Sequence, residues 1–102
     1  MDFCELVDKV KEWGREKGID NPYRQLNKVL EELGELSSEV CRDRFDSPEF
    51  KDGVGDVLVT VIILADIVKV DPIECLELAY NEISGRKGKI SDGMFIKEVE
   101  KA

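Results

Sequence analysis

Three carboxylates, Glu32, Glu35 and Glu39, fall at i, i+3 and i+7, and Glu49, Asp52 and Asp56 repeat that spacing in the next segment. Wound as a helix, each trio occupies one strip, and Lys28 joins the first strip one turn earlier. If the two strips face each other, four or more carboxylates converge. Like charges that close repel unless protons or cations intervene. Oxygen-only donors select hard divalent cations, chiefly Mg²⁺ with Mn²⁺ as a substitute. Mg²⁺ held by one or two carboxylates keeps positions open for water and is the usual partner of a polyphosphate. Arg86, Lys87 and Lys89 form a basic cluster suited to outer phosphates.

Composition narrows the chemistry further. The chain has 102 residues and no histidine, which removes imidazole bases, Ser-His and Cys-His nucleophile pairs and histidine-containing zinc or di-iron sites. Fifteen Lys and Arg against 23 Asp and Glu give a net charge of −8. That argues against a nucleic-acid binder or a protein of anionic membrane surfaces, both of which need a positive face. Cys4, Cys41 and Cys75 lack a C-x-x-C and read as buried packing residues in a reducing compartment, hence the cytoplasm. The first eleven residues are too charged for a signal peptide, and the apolar run Val57 to Ala65 is too short to span a bilayer. The Gly-Arg-Lys-Gly-Lys segment lacks the spacing and preceding strand of a P-loop, and no stretch alternates acidic ligands as an EF-hand does.

The elements that must position these groups are helices. All three prolines follow a good N-cap residue, as Asn21-Pro22, Ser47-Pro48 and Asp71-Pro72, and Asp2 with Glu5 marks a fourth start. The first helix carries Phe3, Leu6, Val7, Val10 and Trp13 on one stripe and stops between Gly14 and Gly18. The second, Pro22 to about Arg42, aligns Leu26, Val29, Leu30, Leu33, Leu36 and Val40. The third, Pro48 to about Lys69, is apolar nearly all round through VLVTVIILA; a strand is rejected there because nothing could pair with it. The fourth, Pro72 to about Ser84, turns Ile73, Leu76, Ala79, Tyr80 and Ile83 inward, and a glycine-containing basic tail forms turns. The expectation is one all-α domain over residues 1–102, a four-helix bundle-like protomer that oligomerises through its apolar third helix.

Acidic residues at helical spacing are also ordinary solvated surface. The alternative is therefore a helical oligomerisation or regulatory module whose acidic face binds a basic partner and no metal. A second matching strip, few compensating lysines and a place beside the core favour the site.

The run Gln25 to Leu36, with Glu31-Glu32-Leu33-Gly34-Glu35, then Lys51-Asp52-Gly53-Val54-Gly55-Asp56, then Ala79-Tyr80-Asn81-Glu82-Ile83 and Gly85-Arg86-Lys87-Gly88-Lys89, resembles the short MazG-like all-α nucleotide pyrophosphohydrolases over most of the chain. The resemblance implies Mg²⁺-dependent hydrolysis of a nucleoside triphosphate to monophosphate and pyrophosphate, by attack of a metal-activated water at the α-phosphorus, in homodimers or homotetramers. The family pattern is E-E-x-x-E followed by E-x-x-D. Glu31, Glu32 and Glu35 match the first half. In the second, Gly53 stands where glutamate is expected if Asp56 is the family aspartate, and Glu49-x-x-Asp52 is the alternative register. The metal ligands expected are Glu32, Glu35, Asp52 and Asp56. Glu35 or Glu31 orients or deprotonates the water, Lys28, Arg86 and Lys89 hold phosphate oxygens, and Asn81 adds a neutral hydrogen bond.

Overall fold

Helices start in this chain where a side chain can accept from the N–H groups that the first turn leaves unpaired. A computed structural model describes residues 1–99. The first helix, α1 (Phe3–Glu16), is capped by the Asp2 carboxylate, which accepts from the Glu5 amide at 2.8 Å. Asn21 accepts from the amides of Tyr23 and Arg24 at the head of α2 (Pro22–Cys41), and Ser47 Oγ accepts from Phe50 at the head of α3 (Pro48–Ile67). The fourth helix, α4, runs Pro72–Ser84. All four are the helices foreseen, and the apolar run at 57–64 is helical.

The chain divides into two compact units, Met1–Pro72 and a second that begins at Ile73. In the first, α3 packs along α2 and also against α1. Gln25 Nε2 donates to the Thr60 carbonyl at 3.1 Å, and Leu36 lies against Gly53. Rising numbers on α2 thus meet falling numbers on α3, so the pair is antiparallel and the two acidic strips share one end of it. Val7, Val29, Ile62 and Ile63 form the buried apolar core, with Gly14 of α1 set against Ile63. Arg15 closes the α1–α3 contact: its Nη2 and Nε donate to the two Asp66 carboxylate oxygens at 2.6 and 2.9 Å.

Several residues expected in the core lie outside it. Trp13 and Leu26 are each 48% exposed; Phe3, Leu6, Leu30, Leu33 and Val40 are exposed as well. On α1 Val7 and Gly14 are buried and Val10 is half-buried, while Phe3, Leu6 and Trp13 stay uncovered, since one neighbouring helix covers only part of each apolar face. The three cysteines, read as buried, are all exposed, since Cys4 lies near the start of α1, Cys41 ends α2 and Cys75 sits on α4, which has no buried residue. Leu76, Tyr80 and Ile83 of α4 are likewise exposed rather than inward.

The basic tail holds more than turns. Strands β1 (Gly88–Ser91) and β2 (Met94–Lys97) form an antiparallel hairpin with Gly88 opposite Lys97. Its two-residue loop, Asp92-Gly93, has φ of 52° and 71°, the doubly left-handed backbone of a type I′ turn, whose twist matches the strands it joins. Asp-Gly is among the dipeptides that tolerate it.

Candidate metal centre

On α2 the winding brings Glu31, Glu32 and Glu35 together, with one carboxylate oxygen of each within 4.8 Å of the others. Glu32 is the buried member, its side chain 10% exposed, because it continues the inward face of Gln25 and Val29. Glu31 and Glu35 stand at its solvent side. Lys28 reaches up from the preceding turn, its Nζ 3.4 Å from Glu32 Oε1 and 3.5 Å from Glu31 Oε1, and their charges hold its ammonium above the usual lysine range.

The cluster is short of positive charge. The Glu32 charge raises the Glu35 carboxyl above the ordinary carboxylate range, assisted by a hydrogen bond between the two carboxyls and by Glu31. Across the helix pair, burial pushes the Asp56 carboxyl up, and the charges of Asp52 and Glu32 push it further; Lys28 opposes them at both sites. Like-charge repulsion is the main cause at Glu35, whereas at Asp56 it adds to the larger effect of burial.

A cleft of about 360 Å³ continues from Glu35 between the two helices. Glu39, Glu49, Asp52 and Asp56 line it together with Ser38, Arg42 and Gly53. Both registers left open by the sequence, Glu49 with Asp52 and Asp52 with Asp56, therefore lead into one acidic space. Gly53 contributes no side chain to it, and a Cβ there would come within 3.3 Å of Leu36. The Phe45 ring, ahead of α3, meets Phe50 of its first turn edge-on, with centroids 5.5 Å apart.

The remaining candidates belong to the second unit. Asn81 lies on α4, where its carbonyl accepts from Ser84 Oγ. Arg86 Nη2 donates to Glu82 Oε1 at 3.0 Å, and Lys89 is exposed on β1. An open cleft of about 870 Å³ is lined by Arg86 and Lys87 together with Lys97, which the hairpin register returns to the level of Gly88.

No family model matches the chain. Over 75 residues it is 31% identical to an uncharacterised 18.2 kDa protein in the rep-hol intergenic region of Haemophilus phage HP1 (strain HP1c1). That match takes in 71% of this chain and 45% of the phage protein, so the chain spans less than half the length of the curated relative it matches. The crystal structure of the Bacillus-conserved MazG protein, a nucleotide pyrophosphohydrolase, is similar over 85% of this chain and 94% of that one, at 21% identity and a TM-score of 0.73. This chain has the MazG fold.

Within this MazG fold the residues present suit a hard divalent cation. The donors are all carboxylate oxygens, three of them already within 4.8 Å of one another, and the cleft beyond them holds a buried carboxylate oxygen, Glu39 Oε2, with no hydrogen-bond partner among the described residues. Glu32 and Glu35, with Asp52 and Asp56 opposite, could hold such an ion. Sequence reasoning put Glu39 on the acidic strip without giving it a part, and passed over Arg42 and Lys97. The i+4 step from Glu35 pointed to Glu39. The Asp-Gly turn pointed to Lys97 through the hairpin register. Among the described residues no helix is long and apolar enough to cross a membrane.

Proposed function

We propose that this chain is a Mg²⁺-dependent nucleoside triphosphate pyrophosphohydrolase, releasing nucleoside monophosphate and pyrophosphate. The observation that carries the reading is the carboxylate triad of α2, set across from Asp52 and Asp56 on a MazG fold. Glu32, Glu35, Asp52 and Asp56 hold the metal, with Mn²⁺ as a possible substitute. Once bound, the metal neutralises charge on the triphosphate and lowers the pKa of coordinated water.

The protein's own groups do the rest. Glu35, or Glu31 beside it, orients the attacking water in line with the α-phosphorus and accepts its proton as the new oxygen–phosphorus bond forms. The bond from the α-phosphorus to the bridging oxygen breaks, and pyrophosphate leaves with that oxygen. Lys28, now held by Glu31 and Glu32, has the reach and charge to steady a phosphate oxygen. For the second unit the proposal is confined to anion binding by Arg86 and Lys89, with Asn81 as a neutral donor.

The reading takes residues 1–102 as one working domain that acts in the cytoplasm, with no nucleic acid or membrane as partner. Its net charge of −8 supports the last two exclusions. It self-associates as a homodimer or homotetramer through α3, whose Val54, Leu58 and Val61 form an exposed stripe at i, i+4 and i+7. Leu26, Leu30 and Leu33 form a second such stripe on α2 at matching levels. Sedimentation of the wild-type chain beside Leu58→Asp tests this, and a monomeric wild type would refute it.

The deciding experiment is product analysis with Mg²⁺ and a panel of ribo- and deoxynucleoside triphosphates. Monophosphate and pyrophosphate, lost on chelation, is the expected result. Diphosphate and phosphate, or no turnover on any nucleotide, would overturn the reading.

A further inference from the structure

We propose that Glu39 is a further ligand of the divalent cation, extending the acidic site one helical turn beyond Glu35. The inference rests on the metal-dependent reading given above. Glu39 follows Glu35 by four residues, so the two carboxylates lie one above the other on the same face of α2. Its side chain is only 15% exposed, and its Oε2 is buried with no hydrogen-bond partner among the described residues. A buried carboxylate oxygen left unpaired is costly, and such atoms are satisfied in native proteins by a donor, an ordered water or a cation.

The surroundings favour the cation. Glu35, Glu49, Asp52 and Asp56 line the same cleft and are acceptors when ionised, so they cannot donate to Glu39. Arg42 Nη1 faces the other oxygen, Oε1, at 3.5 Å, which is longer than the 2.7–2.9 Å typical of a charge-assisted hydrogen bond. Arg42 is itself 55% exposed and leaves Oε2 unserved. Ser38, the remaining polar side chain of the lining, makes no hydrogen bond to that oxygen. On the α3 side Gly53 lines the cleft without a side chain, and the side chains that helix does contribute are the carboxylates of Glu49, Asp52 and Asp56. A hard cation in this space would gain a carboxylate from α2 in addition to Glu35, and Glu39 would gain a partner for its orphaned oxygen.

Mn²⁺ titration of the full-length chain, read by electron paramagnetic resonance of the free ion, tests the assignment with no appeal to turnover. Wild-type protein binds Mn²⁺, and Glu39→Gln and Glu39→Asp each weaken that binding tenfold or more, the aspartate because its carboxylate sits one methylene further back. Arg42→Gln binds as tightly as wild type or more tightly, since the guanidinium no longer competes for Oε1. If Glu39 serves only as a structural partner of Arg42, the glutamine variants at both positions lower Tm alike and leave Mn²⁺ binding unchanged; that result overturns the proposal. Circular dichroism identifies any variant that fails to fold, and the aspartate variant, which keeps the charge, then carries the test. Wild-type protein that binds no Mn²⁺ overturns the metal-dependent reading and this inference with it. Wild-type binding matched by both Glu39 variants overturns the inference alone.

Discussion

Removing Mg²⁺ should cost this protein stability as well as activity, and the size of the effect can be worked out. The triad and the adjoining cleft hold seven carboxylates, Glu31, Glu32, Glu35, Glu39, Glu49, Asp52 and Asp56, with Lys28 and Arg42 as the cations paired to them. The local net charge is then −5, more than two divalent ions neutralise. An ion that binds only the folded chain stabilises it by about 2.7 kcal/mol at a hundred times its Kd. For a domain of this size each kcal/mol moves Tm by about 4–8 °C, so saturating Mg²⁺ should raise Tm by about 10–20 °C. In the double variant Glu32→Gln/Glu35→Gln, a Kd weakened a hundredfold leaves the same Mg²⁺ concentration only equal to Kd. The stabilisation then falls to about 0.4 kcal/mol, or roughly 2–3 °C. Differential scanning fluorimetry in chelator, in Mg²⁺ and in NaCl of matched ionic strength measures all three. An equal rise in NaCl, or a full rise in the double variant, would refute the reasoning, because a solvated acidic face responds only to screening.

Three further outcomes follow from the same geometry. Glu35→Gln should lower kcat by about 10²–10⁴-fold, yet leave the metal-free Tm no lower than wild type, since it removes one charge from a repelling cluster; steady-state kinetics beside a melt would expose an error in either half. In chelator, Tm should rise as pH falls from neutral through the raised pKa values of Asp56 and Glu35 toward the ordinary carboxylate range, because the folded state binds those protons more tightly than the unfolded chain; in saturating Mg²⁺ the slope should reverse, since protons compete with the cation. Asp66 behaves oppositely. The Arg15 hydrogen bond holds its carboxyl below the usual range, so its contribution is present above the unfolded pKa and is lost as pH falls through the folded one. Asp66→Asn should lower Tm by a few degrees at pH 7 and by less in acid, and a pH-independent loss would count against the ion pair.

How much of this could be read from the sequence differs sharply between elements. The helices were legible because each start is marked locally: Asp2, Asn21 and Ser47 accept from their own first turns, which needs no tertiary information. The acidic strips were legible for a related reason, since the antiparallel α2–α3 pair follows from a short connection and winding alone places Glu32 beside Val29. Burial was not legible. A stripe such as Phe3, Leu6 and Trp13 specifies an apolar face but not whether anything in the same chain covers it, and α1 meets α3 through Gly14 against Ile63 and Arg15 with Asp66. The hairpin was overlooked because four-residue strands carry little periodicity, although Asp92-Gly93 was the cue.

The placing of the two cations explains why Glu35, rather than another acid on the strip, is suited to catalysis. Lys28 and Arg42 stand fourteen residues apart on the α2 sequence, about 21 Å along the chain at 1.5 Å per residue. Lys28 engages Glu31 and Glu32 at one end, and Arg42 engages Glu39 at the other. Glu35 lies between them, and among the described residues no cation comes within ion-pair distance of it. It is therefore the carboxylate that shares a hydrogen bond with a like-charged neighbour and whose affinity for a proton is raised by that neighbour. A general base needs such an affinity, and as a metal ligand Glu35 has neither oxygen engaged by a side-chain cation, whereas Glu32 and Glu39 each have one so engaged. Moving a cation to the centre of the strip should abolish both properties at once. Ser38→Lys places an ammonium three residues from Glu35 on the same helical face. It should suppress Mn²⁺ binding and turnover together while raising the metal-free Tm; a variant that keeps wild-type Mn²⁺ affinity would show that the centre of the site lies elsewhere.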